Sequence, residues 1–160
     1  MKPIYEKITN MLKEYELKYD EYDHKPIVSY EDAEEAKLQH GWEGTESKNV
    51  FMKGKSGTYY IFVTMQGERV DFGRMKELTG DKMSIGSAED LIAETDFVPG
   101  CVCPFGYKEE IVIIVDTRVF AVDSFLFSPG LEEKTLNVHM GGDKFRKLFE
   151  NLPNRVIFAD

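Results

Sequence analysis

The sequence predicts an α/β (α+β) domain, a mixed β-sheet flanked by helices, and three observations carry that expectation. A chain of 160 residues suits one core rather than two large domains, so residues 1–160 are expected to form a single unit. Its residues are 42% hydrophobic and 12% aromatic against 31% charged, enough apolar material to bury a core and to exclude intrinsic disorder. Helix-patterned segments alternate irregularly with β-rich ones, and a hairpin signal stands among strand-helix-strand stretches, which favours a mixed sheet over a doubly wound parallel one.

Ile4, Ile8, Met11, Leu12 and Tyr15 recur at helical spacing with Lys and Glu between them, which predicts an amphipathic first helix. An extended piece follows around Tyr22 to His24, ended by the breaker Pro26. Ser29, three residues before Asp32, gives a capping-box-like start to a helix running to about His40, and Gly41 and Gly44 end it. Val50, Phe51 and the run from Tyr59 to Val63 are β-branched and aromatic, with turn residues from Gly54 to Gly57 between them; this reads as a hairpin. Short helices are expected from about Arg74 to Leu78, stopped by Gly80, and from Ser87, with Asp90 three residues on, to about Glu94. Pro99, Gly100, Pro104 and Gly106 punctuate a segment that suits neither helix nor central strand, and the buried strand Ile111 to Val115 follows. Further strands are expected at Phe125 to Phe127, Thr135 to Val138 and Arg155 to Phe158. A helix capped by Asp143 and running to about Glu150 lies between the last two. Neither a repeat nor a low-complexity tract interrupts the chain.

The formal net charge is −9, so a long nucleic-acid duplex gripped through many phosphates is not an expected partner; nucleic acid would have to touch a small local patch. The longest apolar runs, such as Ile111 to Val115, fall far short of the roughly 20 residues of a membrane span. Residues Met1 to Lys13 mix charges with Ile and Leu and do not read as a signal peptide, so the expected location is the cytoplasm. Cys101 and Cys103 are the only cysteines, too closely spaced for an unstrained mutual disulfide, and both are read as thiols.

The segment Pro99-Gly100-Cys101-Val102-Cys103-Pro104-Phe105-Gly106 reads either as a plain connector or as a rigid backbone cradle. In the second reading the glycines permit close approach of a ligand, the prolines fix the path, and N–H groups converge on an oxyanion. Lys48-Asn49 opens a strand after the small, polar stretch Gly44 to Ser47. Lys48 is a solvated strand end or an ammonium at a cleft mouth, and in a regular strand the two side chains point to opposite faces. Cys101-x-Cys103 with His24 or His139 is half a zinc site at most, so no metal is expected, and a thiol nucleophile would need a base that the fold must place. His139 is expected at a strand end, bonded to backbone. Trp42, Tyr59 and Tyr60 lack an interleaved basic stripe and read as core or rim, and the acidic cluster from Glu31 to Glu35 as a solvated helix face.

Taken together, Tyr22-Asp23-His24-Lys25-Pro26, Glu31 to Ala36, Ser47-Lys48-Asn49-Val50-Phe51 and the Pro99-to-Gly106 loop resemble the YbaK/ProX family, the prolyl-tRNA editing or aminoacyl-tRNA deacylase-associated domain. The order and spacing match over roughly residues 4 to 150, and the likeness is greatest to the free-standing proteins that deacylate alanyl-tRNA charged on the proline tRNA. The resemblance implies a mixed, barrel-like sheet with flanking helices. It implies hydrolysis of a mischarged aminoacyl ester at the tRNA 3′ end without cofactor, metal or covalent nucleophile. The implied partners are the acceptor end of the tRNA and an aminoacyl-tRNA synthetase, with no membrane. Carried over, Lys48 is the essential lysine near the terminal adenosine, and Gly100 and Gly106 bound the catalytic loop. Asn49, Cys101, Cys103, Pro104, Phe105, Ser128, Glu132, Thr135 and His139 are then substrate-binding.

The chain departs from the family pattern in one stretch. Such proteins usually show Phe-His-Pro followed by Asn-Thr-x-Thr, whereas this chain has Phe127-Ser128-Pro129 and then Glu132-Glu133-Lys134-Thr135. These positions help shape the amino-acid pocket, so the edited amino acid stays open. One alternative from a different class is a non-catalytic module that holds tRNA ends or nucleotides in the same cleft. Others are a deacylase for Ser, Thr or Cys, and a cysteine-dependent hydrolase of another ester.

Overall fold

The structure, a computed structural model, describes residues 3–27 and 29–160. In chain order they form α1 (Pro3–Glu14), β1 (Tyr19–Asp23), α2 (Tyr30–His40), β2 (Thr45–Gly54), β3 (Tyr59–Met65), α3 (Phe72–Thr79), β4 (Met83–Ile85) and α4 (Ala88–Glu94). There follow β5 (Val112–Asp116), a 3-10 turn (Thr117–Phe120), β6 (Ser124–Phe127), β7 (Lys134–His139), α5 (Lys144–Glu150) and β8 (Val156–Ala159). The helix starts follow local chemistry. The hydroxyls of Ser29 and Ser87 accept the N–H groups of Asp32 and Asp90 at 3.2 and 3.0 Å, and the Asp71 carboxylate does the same for Arg74 at 3.0 Å. Asp143 stands at the N-cap of α5, yet its side chain makes no capping bond; its carboxylate turns instead to Lys147, 3.5 Å away.

The strands form a mixed sheet in the order β1-β7-β6-β2-β3-β5-β8, with β4 paired to β2. The β2–β6, β3–β5 and β5–β8 pairs are parallel and the others antiparallel. Side-chain alternation places a core on each face. Ile61, Val63, Ile111, Ile113 and Val115 pack with Ile4, Ile8 and Leu12 of α1 and with Phe145, Leu148 and Phe149 of α5. Tyr60, Phe62, Val112 and Ile114 pack on the opposite face with Met75 of α3, Met52 and Met83. A third, smaller cluster joins Ala36 of α2, Trp42 and Leu126. No helix among the described residues is long and apolar enough to cross a membrane.

Strands β2 and β4 also differ from the sequence expectation. β2 begins at Thr45, three residues before the Lys48 at which the sequence opens it, because Thr45 and Glu46 pair with Phe125 and Leu126 of β6; that partner is remote in sequence, so local polarity hides the start of the strand. The three-residue β4 exists only through its pairing with residues Met52, Lys53 and Gly54. Strand β2 therefore exchanges neighbours. One edge follows β3 from Ser47 to Lys53, while the other meets β6 at two residues and β4 near its end; between them, among the described residues, it has no strand partner, and the Phe51 carbonyl accepts the Gly86 N–H at 2.9 Å. Glu43 and Gly44 sit at the β6 junction, where the Glu43 carbonyl accepts from Ser124 Oγ and Asn137 Nδ2, each at 3.3 Å.

Candidate active site

A cavity of about 290 Å³ opens beside the unpaired stretch of β2. Four segments line it. Glu46, Ser47, Lys48 and Asn49 come from β2 with Gln66 just after β3, and Gly100, Cys101 and Val102 come from the Pro/Gly loop. Leu126 to Ser128, Leu131, Glu132, Lys134 and Thr135 come from the β6–β7 region, and His24, Ile27, Ala33 and Trp42 from the α2 side.

Lys48 and Asn49 both line this cavity although β2 is regular against β3, where they face Thr64 and Val63. Alternation would put only one of them there if the sheet continued. Because β6 leaves β2 after Glu46, the bare strand edge itself borders the cavity, and side chains from either face reach it. The Lys48 ammonium donates to the Glu68 carbonyl at 2.7 Å, which leaves two of its three N–H donors for a ligand. The Asn49 amide donates to Ser47 Oγ at 3.1 Å and to the Val102 carbonyl at 3.0 Å, so it ties the strand edge to the loop; its Oδ1 is buried without a hydrogen-bond partner among the described residues.

The loop divides into two parts. Gly100, with φ +87°, turns the chain at the cavity, and the Cys101 N–H is held by the Val98 carbonyl at 3.0 Å. Cys103, Pro104, Phe105 and Gly106 do not line the cavity. Cys103 and Phe105 are 0% exposed, and Pro104 and Gly106 are buried with them. Gly106 has φ +104°, and a Cβ there would stand 2.6 Å from Ile8 Cδ1, so only glycine lets α1 approach; Lys7 Nζ also reaches its carbonyl at 3.2 Å. Burial pushes the Cys103 thiol far up, outweighing the Phe105 N–H that points at its sulfur, so it stays protonated at neutral pH. Both cysteines are buried. We therefore expect Cys103→Ser, measured on folded protein, to change any turnover at this cavity by no more than a few-fold. A folded but wholly inactive variant would establish thiol chemistry instead.

The β6–β7 region brings Ser128, Glu132 and Thr135 to the cavity. Ser128 Oγ accepts the Gly130 N–H at 3.2 Å and donates to the Leu131 carbonyl at 3.4 Å, which fixes the turn. His24 Nδ1 lies 2.7 Å from the Lys25 carbonyl, which can only accept, so Nδ1 carries the proton; Nε2 then accepts from the Thr135 hydroxyl at 2.9 Å. The hydrogen bond to Asp23 raises the Lys134 ammonium above its ordinary range, and Glu21 lies 3.5 Å from it. Among the described residues the Glu132 carboxylate has no ion-pair or side-chain hydrogen-bond partner. His139 is exposed, does not line the cavity, and pairs through Nε2 with Asp20 Oδ2 at 2.6 Å rather than with backbone, because β1 lies alongside β7.

Trp42, read from the sequence as core or rim, and His24, read there as a candidate partner of Cys101 and Cys103, are both wall residues of the cavity. Trp42, 6% exposed, stacks with His40 at 5.9 Å and tilts against Tyr22 at 5.2 Å, an aromatic group that forms only when β1, α2 and β6 meet. Its one sequence signal is that it is the sole Trp of the chain. Among the described residues no three His, Cys, Asp or Glu side chains are grouped to hold a metal ion.

A family model for the aminoacyl-tRNA editing domain matches residues 24–145, which include every residue lining the cavity. The crystal structure of hypothetical protein APE2540 superposes with a TM-score of 0.75 at 23% identity, over 95% of this chain and 97% of that one. A candidate trans-editing enzyme for prolyl tRNA synthetase superposes with a TM-score of 0.70 at 21% identity, over 100% and 97%. No curated protein matches the sequence at a significant level.

Proposed function

The chain belongs to the aminoacyl-tRNA editing domain family, and we propose that it is a trans-editing hydrolase that deacylates mischarged aminoacyl-tRNA, with alanine on the proline tRNA as its first substrate. The observation that carries this reading is the convergence of Lys48, Asn49 and the Gly100–Val102 turn on one cavity. Its volume, about 290 Å³, sits at the low end of the roughly 300–1,000 Å³ of small-ligand sites, which suits an aminoacyl end and not a duplex. The same fold carries a candidate trans-editing enzyme for prolyl tRNA synthetase, which supports the choice of tRNA.

An aminoacyl ester is already activated, so positioning and charge stabilisation suffice. Water attacks the ester carbonyl carbon, and the carbonyl electron pair moves to oxygen. The tetrahedral oxyanion collapses, expelling the ribose oxygen of the tRNA, which takes up the proton that the water gives up. In this reading Lys48 meets the developing negative charge, with the amides of Gly100 and Val102 as the neighbouring donors, since that of Cys101 is already engaged. Asn49 holds the loop against the strand edge. Glu132 supplies an unpaired carboxylate for the α-ammonium group of the substrate or for a polar side chain.

Initial rates on tRNAs carrying Ala, Ser, Thr, Cys and Pro test this. We expect alanine to be released and proline to be rejected by overpacking, with glycine discriminated only about 10- to 200-fold. Ser or Thr outrunning Ala would assign a different amino acid through Glu132. Fast cleavage of correctly charged prolyl-tRNA would overturn editing, and binding without hydrolysis of any ester would make the chain a binding module.

A further inference from the structure

A chain of polar contacts runs from the interior of the sheet to the Lys48 ammonium. Thr64 is fully buried and stands opposite Lys48 in the β2–β3 ladder; its hydroxyl donates to Asp116 Oδ2 at 2.8 Å. Asp116, 5% exposed at the end of β5, also receives the Arg118 guanidinium, with Nη2 at 2.6 Å from Oδ2 and Nε at 3.0 Å from Oδ1. The same guanidinium sends Nη1 to Glu68 Oε1 at 3.1 Å, and the Glu68 carbonyl receives Lys48 Nζ. Gln66 fastens the other end of this turn, its backbone N–H on the Glu46 carbonyl at 2.9 Å and its side-chain amide on the Ser47 carbonyl at 3.1 Å.

We infer that Arg118 and Asp116 are positioning residues for Lys48: their ion pair anchors the 66–68 turn, so that the Glu68 carbonyl meets the ammonium while the Glu68 carboxylate is held off it. This rests on the reading of Lys48 as the group that meets the substrate's developing charge. The carboxylate and the carbonyl belong to one residue. A carboxylate released from Arg118 is therefore within a side chain's reach of Lys48, where it would neutralise the ammonium and compete with an oxyanion. A guanidinium suits the task because it is permanently charged and its planar fork serves two acceptors at once; an ammonium is a single point of charge.

The test uses single-turnover and steady-state deacylation by the full chain on the ester the parent cleaves fastest. Arg118→Ala is expected to lower kcat by about tenfold to a hundredfold, the scale on which a misplaced catalytic group is felt. The double variant Glu68→Gln with Arg118→Ala should regain most of that loss, because the released side chain no longer carries a charge. Loss of folding stability alone would not be repaired by removing a surface carboxylate. If Arg118→Ala fails to fold with Asp116 left unpaired, Arg118→Lys keeps a cation there while losing the fork. It should show a smaller kcat loss, again relieved by Glu68→Gln. Full kcat in the folded Arg118 variant, or a double variant as slow as the single one, overturns the inference. Lys48→Ala is assayed alongside. An active Lys48→Ala overturns the reading of Lys48 itself, whereas an inactive one beside a fully active Arg118 variant overturns the positioning role alone.

Discussion

Replacing Lys48 with alanine is expected to slow deacylation by roughly 100- to 1,000-fold, equivalent to about 2.7–4 kcal/mol of lost transition-state stabilisation. The fold should survive. Lys48 is half-exposed, its backbone stays in the β2–β3 ladder, and among the described residues the bond lost with the side chain is that of its charged ammonium to the Glu68 carbonyl, worth about 1.5–3 kcal/mol. A matched pair of measurements checks this: initial rate on the best substrate and thermal midpoint for parent and variant. Equal rates would remove Lys48 from the chemistry, and a collapsed midpoint would make it a structural residue.

Phe105→Ala should act in the opposite manner, with a large loss of stability and little change in the chemistry per folded molecule. The ring is fully buried and meets Phe127, Phe145 and Phe149 edge-on, at centroid distances of 5.7, 6.2 and 6.0 Å. Emptying such a site costs about 3–5 kcal/mol. For a chain of this size that corresponds to a fall in thermal midpoint of roughly 6–20 °C. Below the new midpoint, KM should stay near the parent value. A stable Phe105→Ala protein whose KM rises steeply would return Phe105 to the substrate site.

What could be read from the sequence was local. Ser29 and Ser87 announce their helices because a cap bonds an amide three residues away, and the Gly54–Gly57 turn announces its hairpin for the same reason. Thr45, Glu46 and β4 escape notice because their partners lie far along the chain. The cavity follows the same division. The loop shows its glycines and prolines, but only the folded chain shows that Gly100 to Val102 face the cavity while Cys103 to Gly106 turn into the core. Trp42 and Lys134 join the wall through strands and helices that meet only in three dimensions, and the Arg118–Glu68–Lys48 connection spans three separate segments.

Among the described residues, the two halves of the sheet, β1-β7-β6 and β2-β3-β5-β8, are stitched by two rungs, Thr45 to Phe125 and Glu46 to Leu126. Lys48 and its neighbours ride on one half, and Ser128, Glu132 and Thr135 on the other. In the proposed reading the spacing between these two sets is governed by a short seam, of which Glu46 and Leu126 themselves line the cavity. Gly44 lies at its end, where a Cβ would come within 2.7 Å of Asn137 Oδ1 and 3.0 Å of Ser124 Oγ. Gly44→Ala is expected to crowd those side chains across the seam and to shift the order of initial rates among the aminoacyl esters assayed, without altering any residue that lines the cavity. Under the proposed reading, preference among amino acids can drift through changes at such a joint while Lys48 and Asn49 stay as they are.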